Sequence, residues 1–173
     1  MKRDDIVGFT STMVDLGETT NLTADEAATA IAQISNVMGT MDREGSEGVE
    51  RFGATLVELG NNGASTESEI LEMAQRIAGA AKTVGASESD VLALSNTLAS
   101  MGVRAEQGGG VATRVILKMS AAVDEGGESL ESFAQVAGTS AEEFAAKFQD
   151  APMEALDPVS YTHLRAHETK ANL

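Results

Sequence analysis

The residues best equipped for chemistry lie at the far end of the chain. His163 and His167 are spaced i, i+4, which on a helix puts two imidazoles on one face, as zinc sites use. Leu164 stands where the H-E-x-x-H pattern needs its glutamate. These are the two histidines of the chain, and cysteine is absent. Thiolate ligands, thiol nucleophiles and disulfides are therefore excluded, and acid–base work by imidazole is confined to this end. Gly108-Gly109-Gly110 could offer backbone N–H groups to a phosphate, but no strand pattern precedes it and the Lys-Ser/Thr of a phosphate loop is missing. Glu106 would repel the anion, and Lys118 comes two turns too late. The triplet reads instead as a joint or tight turn before a helix starting near Val111. Glu67, Glu69, Glu72, Glu142 and Glu143 read as solvated helix faces and first turns. A glycosidase pair would need aromatics to hold a sugar. Asp42-Arg-Glu-Gly45 lacks the ligand spacing of a calcium loop, and no G-x-S-x-G elbow occurs. No catalytic, cofactor-binding or metal-ligating residue is assigned, and the chain is read as non-enzymatic.

What must be positioned is therefore a set of helices. The chain has 173 residues and a net charge of −15, a balance that repels nucleic-acid phosphates and anionic membranes. Aromatics are 3% of residues, too few for base or sugar stacking, and no apolar run reaches the ~18 residues of a spanning helix. The apolar residues are mostly alanine, so the core is expected to be thin.

Four capping boxes start helices: Thr23-Ala-Asp-Glu26, Thr66-Glu-Ser-Glu69, Ser87-Glu-Ser-Asp90 and Ser140-Ala-Glu-Glu143. The third should be weakest, because aspartate is shorter than glutamate. Glycines after apolar residues predict the stops, at Gly17, Gly39, Gly60, Gly85, Gly102 and Gly138. Between them run five helical stripes. One is Ala27, Ala30, Ile31, Ile34, Val37, Met38, Met41; another is Val49, Phe52, Leu56, Leu59. Ile70, Met73, Ala74, Ile77, Ala78, Ala81, Val84 form a third, and Val91, Leu94, Leu98, Met101 a fourth. The fifth is Ala112, Val115, Ile116, Met119, Val123. No strand pattern competes. The predicted fold is all-α: a succession of short, amphipathic, Ala-rich helices separated by Gly turns, either bundled as hairpins or strung out as an array.

Pro158 marks a change of composition. Residues 1–157 contain neither His nor Tyr, whereas the following segment holds both histidines and Tyr161. The string SYTHLRAHET resembles the translation of a sequencing-library adapter, so 158–173 is expected to be a non-native, disordered tail and 1–157 a partial helical segment of a longer protein.

Within that segment, Leu56-Val-Glu-Leu-Gly-Asn-Asn-Gly-Ala-Ser-Thr-Glu-Ser-Glu-Ile70 and Met73-Ala-Gln-Arg-Ile-Ala-Gly-Ala-Ala-Lys-Thr-Val-Gly85 resemble the core of the tailed-phage tape measure (minor tail) proteins. So do the stretch from Ser87 to Val103, the Ala105-Glu-Gln-Gly-Gly-Gly110 junction and the run from Phe133 to Phe144. The resemblance covers roughly 14–157. It implies a structural protein in the lumen of a growing tail, around which tube subunits polymerise, so that its length sets tail length, and which leaves when DNA is ejected. It implies as partners the tail tube (major tail) protein, tail assembly chaperones and other tape measure copies, and as locations the virion tail lumen and, during assembly, the host cytoplasm. Met1 falls inside the family pattern, so it can be an internal methionine as well as a start. At 1.5 Å per residue the whole chain, as one helix, would span at most about 260 Å. The alternative reading is a stand-alone helical adaptor that binds a partner through an exposed apolar face.

Overall fold

The computed structural model describes residues 3–156, and the histidine pair and the segment 157–173 lie outside them. The described residues are all-α. Eight helices follow one another: α1 (Arg3–Thr19), α2 (Ala24–Met38), α3 (Thr40–Asn62), α4 (Glu67–Thr83), α5 (Glu88–Ser100), α6 (Ala105–Glu125), α7 (Gly127–Ala137) and α8 (Ala141–Asp150). A last helical turn covers 152–156.

All four capping boxes form. Thr23, Ser87 and Ser140 each accept the N3 backbone N–H while the N3 carboxylate accepts the cap's own N–H, and Thr66 and Glu69 do the same ahead of α4. The aspartate box is not the loosest. Asp90 accepts the Ser87 N–H at 2.9 Å, whereas Glu143 accepts that of Ser140 at 3.3 Å. Glu26 and Glu69 accept their caps' N–H groups at 2.9 Å as well, so the shorter aspartate reaches the cap as closely as glutamate does.

Gly39, Gly85, Gly102 and Gly138 take the positive φ expected of helix stops. Gly17 and Gly60 do not end helices; they lie inside α1 and α3. A Cβ on Gly17 would sit 3.0 Å from the Ala24 backbone nitrogen, and one on Gly60 would sit 2.5 Å from the Glu67 carboxyl carbon. These glycines serve close approach between segments rather than chain reversal.

The chain divides into two compact units, one of residues up to Thr83 with Ser87–Thr113, the other of Val84–Ala86 with the chain from Arg114 on. In the first, the principal pairings are α1 with α2 and α3, α2 with α3 and α4, α3 with α4 and α5, and α4 with α5. Helix α4 therefore packs mainly against α2, α3 and α5 and buries a wide arc, adding Leu71 and Ala80 to the stripe read from sequence. Ile31, Ile34, Val49, Phe52, Leu56, Ile70, Ile77, Val91 and Leu92 complete this core, with alanines between them. Two expected stripe positions are on the surface instead: Val37 and Met101 are exposed. Helix α5 turns Val91, Leu92 and Ser95 inward, leaving Leu94 and Leu98 half-buried.

In the second unit, α7 pairs with α8. Phe144 stacks on Phe133 and Phe148, with ring centroids 6.1 and 6.4 Å apart and planes within 9° and 17°. Ile116, Met119, Ala122, Ala134 and Leu156 are also buried there.

Candidate interaction surfaces

The Gly108–Gly110 triplet is not a turn. It lies inside α6, which begins at Ala105 rather than near Val111. The reason is contact with α4. A Cβ on Gly109 would lie 2.6 Å from the Arg76 Cβ, one on Gly108 would lie 3.0 Å from the Met73 Cε, and Thr113 Oγ1 donates to the Arg76 carbonyl at 3.0 Å. Only residues without a side chain let the two backbones come this near.

Of the acidic candidates, Glu69 and Glu72 are exposed and Glu143 completes its cap. Glu69 is held below the usual glutamate range by hydrogen bonds from the Thr66 backbone and hydroxyl, and Glu26 likewise by those of Thr23. Glu67 departs from expectation: it is 8% exposed and fills the space left by Gly60. Among the described residues, no group of three or more His, Asp or Glu is placed to hold a metal ion.

The Asp42-Arg-Glu-Gly45 stretch leads to a polar junction that nothing local in the sequence announces, since its partners are some 45 residues apart. Gly39 ends α2 at φ 79°. Two cations then satisfy the last carbonyls of α2: Arg43 Nη1 donates to Met38 O at 2.6 Å, and Lys82 Nζ donates to Val37 O at 2.5 Å. Cations at this end also complement the helix dipole. Arg43 Nη2 donates to Glu88 Oε1 at 2.6 Å, and Thr40 Oγ1 donates to the same oxygen at 2.5 Å. Burial pushes the Glu88 carboxyl up, but the hydrogen bonds from Thr40, its own backbone and Arg43, with the Arg43 charge, outweigh it and leave it below the usual range. Beside the junction, Asp5, Asp42, Arg43, Glu44, Glu47 and Arg51 line an open cleft of about 720 Å³, in which Arg51 pairs with Glu44. Four carboxylates face two guanidiniums there, and neither histidine nor cysteine is among the described residues.

The surface features left are apolar. Ile6, Val7 and Val14 stand out from α1, at 50%, 64% and 48% exposure, with Thr10 between them donating to the Ile6 carbonyl. Val111 and Leu117 are exposed on α6.

The described residues are thus those of an all-α protein of capped helices, with an open charged cleft and exposed apolar positions on α1 and α6. The chain belongs to the family of phage-related minor tail proteins, whose pattern matches residues 1–160. That family gives it a structural role in a phage tail, in association with other tail components. The match ends close to Pro158, where the composition changes. No curated protein and no solved structure matches the chain. No helix among the described residues is long and apolar enough to cross a membrane.

Proposed function

We propose that the chain is part of a tail tape measure, lying in the tail lumen, setting tail length through its own length and leaving the tube when DNA is ejected. The family match across residues 1–160 carries this reading. The helical build supports it, because a helix converts residue number into length at about 1.5 Å per residue. The acidic balance and scarcity of aromatics suit a chain that must slide: large aromatics, which dominate tight interfaces, are few. Its partners in this reading are the tail tube protein, tail assembly chaperones and further copies of the tape, with assembly in the host cytoplasm. It works as a ruler and scaffold, not as an enzyme.

The test is an in-frame deletion in the phage of Gly127–Asp150, which removes α7 and α8. Tails should shorten by about 36 Å if the segment lies helical in the tube. In-frame duplication should lengthen them equally. Tails that assemble normally and keep their length in electron micrographs of both variants would exclude the ruler role.

A further inference from the structure

Helix α3 contains a break one residue wide. Gly45 has φ 61° and ψ −148°, a conformation closed to residues with a side chain, while the residues on either side are helical. Five residues earlier in the chain's path, Thr40 follows Gly39, the left-handed end of α2. No proline lies between Ala24 and Asn62, so these two glycines are what interrupts the helix there.

The apolar stripe ignores both interruptions. Ala27, Ile31, Ile34, Met38, Met41, Val49, Phe52, Leu56 and Leu59 recur at spacings of three and four, with Gly45 standing midway in the gap between Met41 and Val49. On one uninterrupted α-helix at 100° per residue, they fall within an arc of about 80°. In the folded unit this shared phase does not run along one axis: α2 and α3 are separate helices that touch each other and both pack against α1 and α4.

The breaks are held by groups from elsewhere. Asp5 of α1 places Oδ1 3.4 Å from the Ser46 N–H, where a helix-capping acceptor belongs, and 2.8 Å from where a Cβ on Gly45 would be. Glu88 of α5 holds Thr40 and Arg43.

We infer that Gly39–Gly45 is a latched hinge, and that releasing the Asp5 and Glu88 contacts lets α2 and α3 join into one helix from Ala24 to Asn62. That helix would be about 58 Å long and would carry a single apolar seam along it. The seam loses its cover from α1, α4 and α5 on opening, so the joined form requires another apolar surface against it. The inference rests on the backbone and the stripe, and stands or falls apart from the role as ruler.

The chain has no cysteine, so spin labels can be placed at Thr29→Cys and Glu58→Cys, both exposed positions, in the full chain. Pulsed electron-electron resonance then reads their separation, with concentrated protein itself supplying the second apolar surface. One continuous helix puts the two backbone positions about 44 Å apart in a narrow distribution. Any bend shortens that distance, and an unfolded segment gives a broad distribution centred near 30 Å. Two backgrounds are compared with the unaltered chain. Asp5→Ala with Glu88→Ala removes the latch, and Gly39→Ala with Gly45→Ala disfavours the positive-φ conformations of the two breaks and raises helix propensity there. The narrow long distance should be nearly absent in the unaltered chain and should grow with protein concentration in both variants. Its absence from both variants at every concentration, whether they stay bent or unfold, overturns the inference.

Discussion

Ser35 and Ser95 form a natural pair for asking what a buried hydroxyl contributes. Both lie in helices of the first unit, and both are almost fully buried, at 2% and 0% exposure. Ser95 donates to the Val91 carbonyl one turn back, at 2.6 Å. Ser35 has no partner for its Oγ. Replacing either by alanine gains roughly 0.5 kcal/mol of helix propensity. At Ser95 that gain is offset by a lost hydrogen bond worth about 0.5–1.5 kcal/mol, so Ser95→Ala should be neutral or destabilise by up to about 1 kcal/mol. At Ser35 no bond is lost, and a desolvation penalty of about 1–3 kcal/mol is lifted. A small void left by the oxygen takes back part of this. Ser35→Ala should therefore stabilise by about 1–2 kcal/mol. With a urea slope near 2 kcal/mol/M, the unfolding midpoint should rise by about 0.5–1 M, while that of Ser95→Ala stays or falls. Equal shifts for the two variants, or a lower midpoint for Ser35→Ala, would show that the Ser35 hydroxyl is satisfied and the reasoning wrong.

Other substitutions separate glycines that serve contact from those that do not. Gly109→Ala should destabilise by about 1–3 kcal/mol, because its Cβ would meet the Arg76 Cβ. Gly79→Ala, with nothing within 4 Å of the new methyl, should stabilise by about 0.5–1 kcal/mol; thermal melts of the two that move in the same direction would refute the distinction. Phe144→Ala removes the middle ring of the stack and should destabilise by about 3–5 kcal/mol, read from hydrogen exchange of α7 and α8 amides; unchanged protection there would count against the stack as that unit's centre. Glu26, Glu69 and Glu88 all lie below the ordinary value of 4.5 in the folded chain, so their stabilising contributions are complete above that pH. As pH falls below it, the unfolded state takes up protons first and stability declines until the folded carboxylates are also protonated. The melting temperature of Glu88→Gln should thus fall less between pH 5 and 3 than that of the unaltered chain, and parallel curves would argue that Glu88 is not ionised in the junction.

The local grammar of this fold is open to reading in the chain. The caps at Thr23, Thr66, Ser87 and Ser140, and the stops at Gly39, Gly85, Gly102 and Gly138, act over three or four residues, and adjacent side chains suffice to define them. Glycines whose role is tertiary resist the same reading. Gly17, Gly60, Gly108 and Gly109 look like stops or joints, yet are helical because Ala24, Glu67, Met73 and Arg76 occupy the space a side chain would need. Glu67 was legible as a carboxylate on a polar helix face but not as a buried one, since its pocket is made by an absent side chain on α3. The Arg43–Glu88 pair joins residues with no periodic relation, and only the packing of α3 against α5 brings them together. The inward face of α5 slipped for a similar reason: contact with both α3 and α4 selects Leu92 and Ser95 over Leu98 and Met101.

The pairing pattern of the first unit has a kinetic consequence. Each of its principal contacts joins helices one or two places apart in the chain. Contact order is therefore low, and chains of that kind fold in microseconds to milliseconds because little loop entropy is lost before contacts form. The energetics then resemble a one-dimensional lattice with next-nearest-neighbour couplings. Removing α1 deletes its interfaces with α2 and α3 and leaves the couplings among α3, α4 and α5 in place. Such a lattice frays from its ends and re-zips from any surviving stretch, so a chain drawn out lengthwise can regain its order locally, with no distant segment needed as a template.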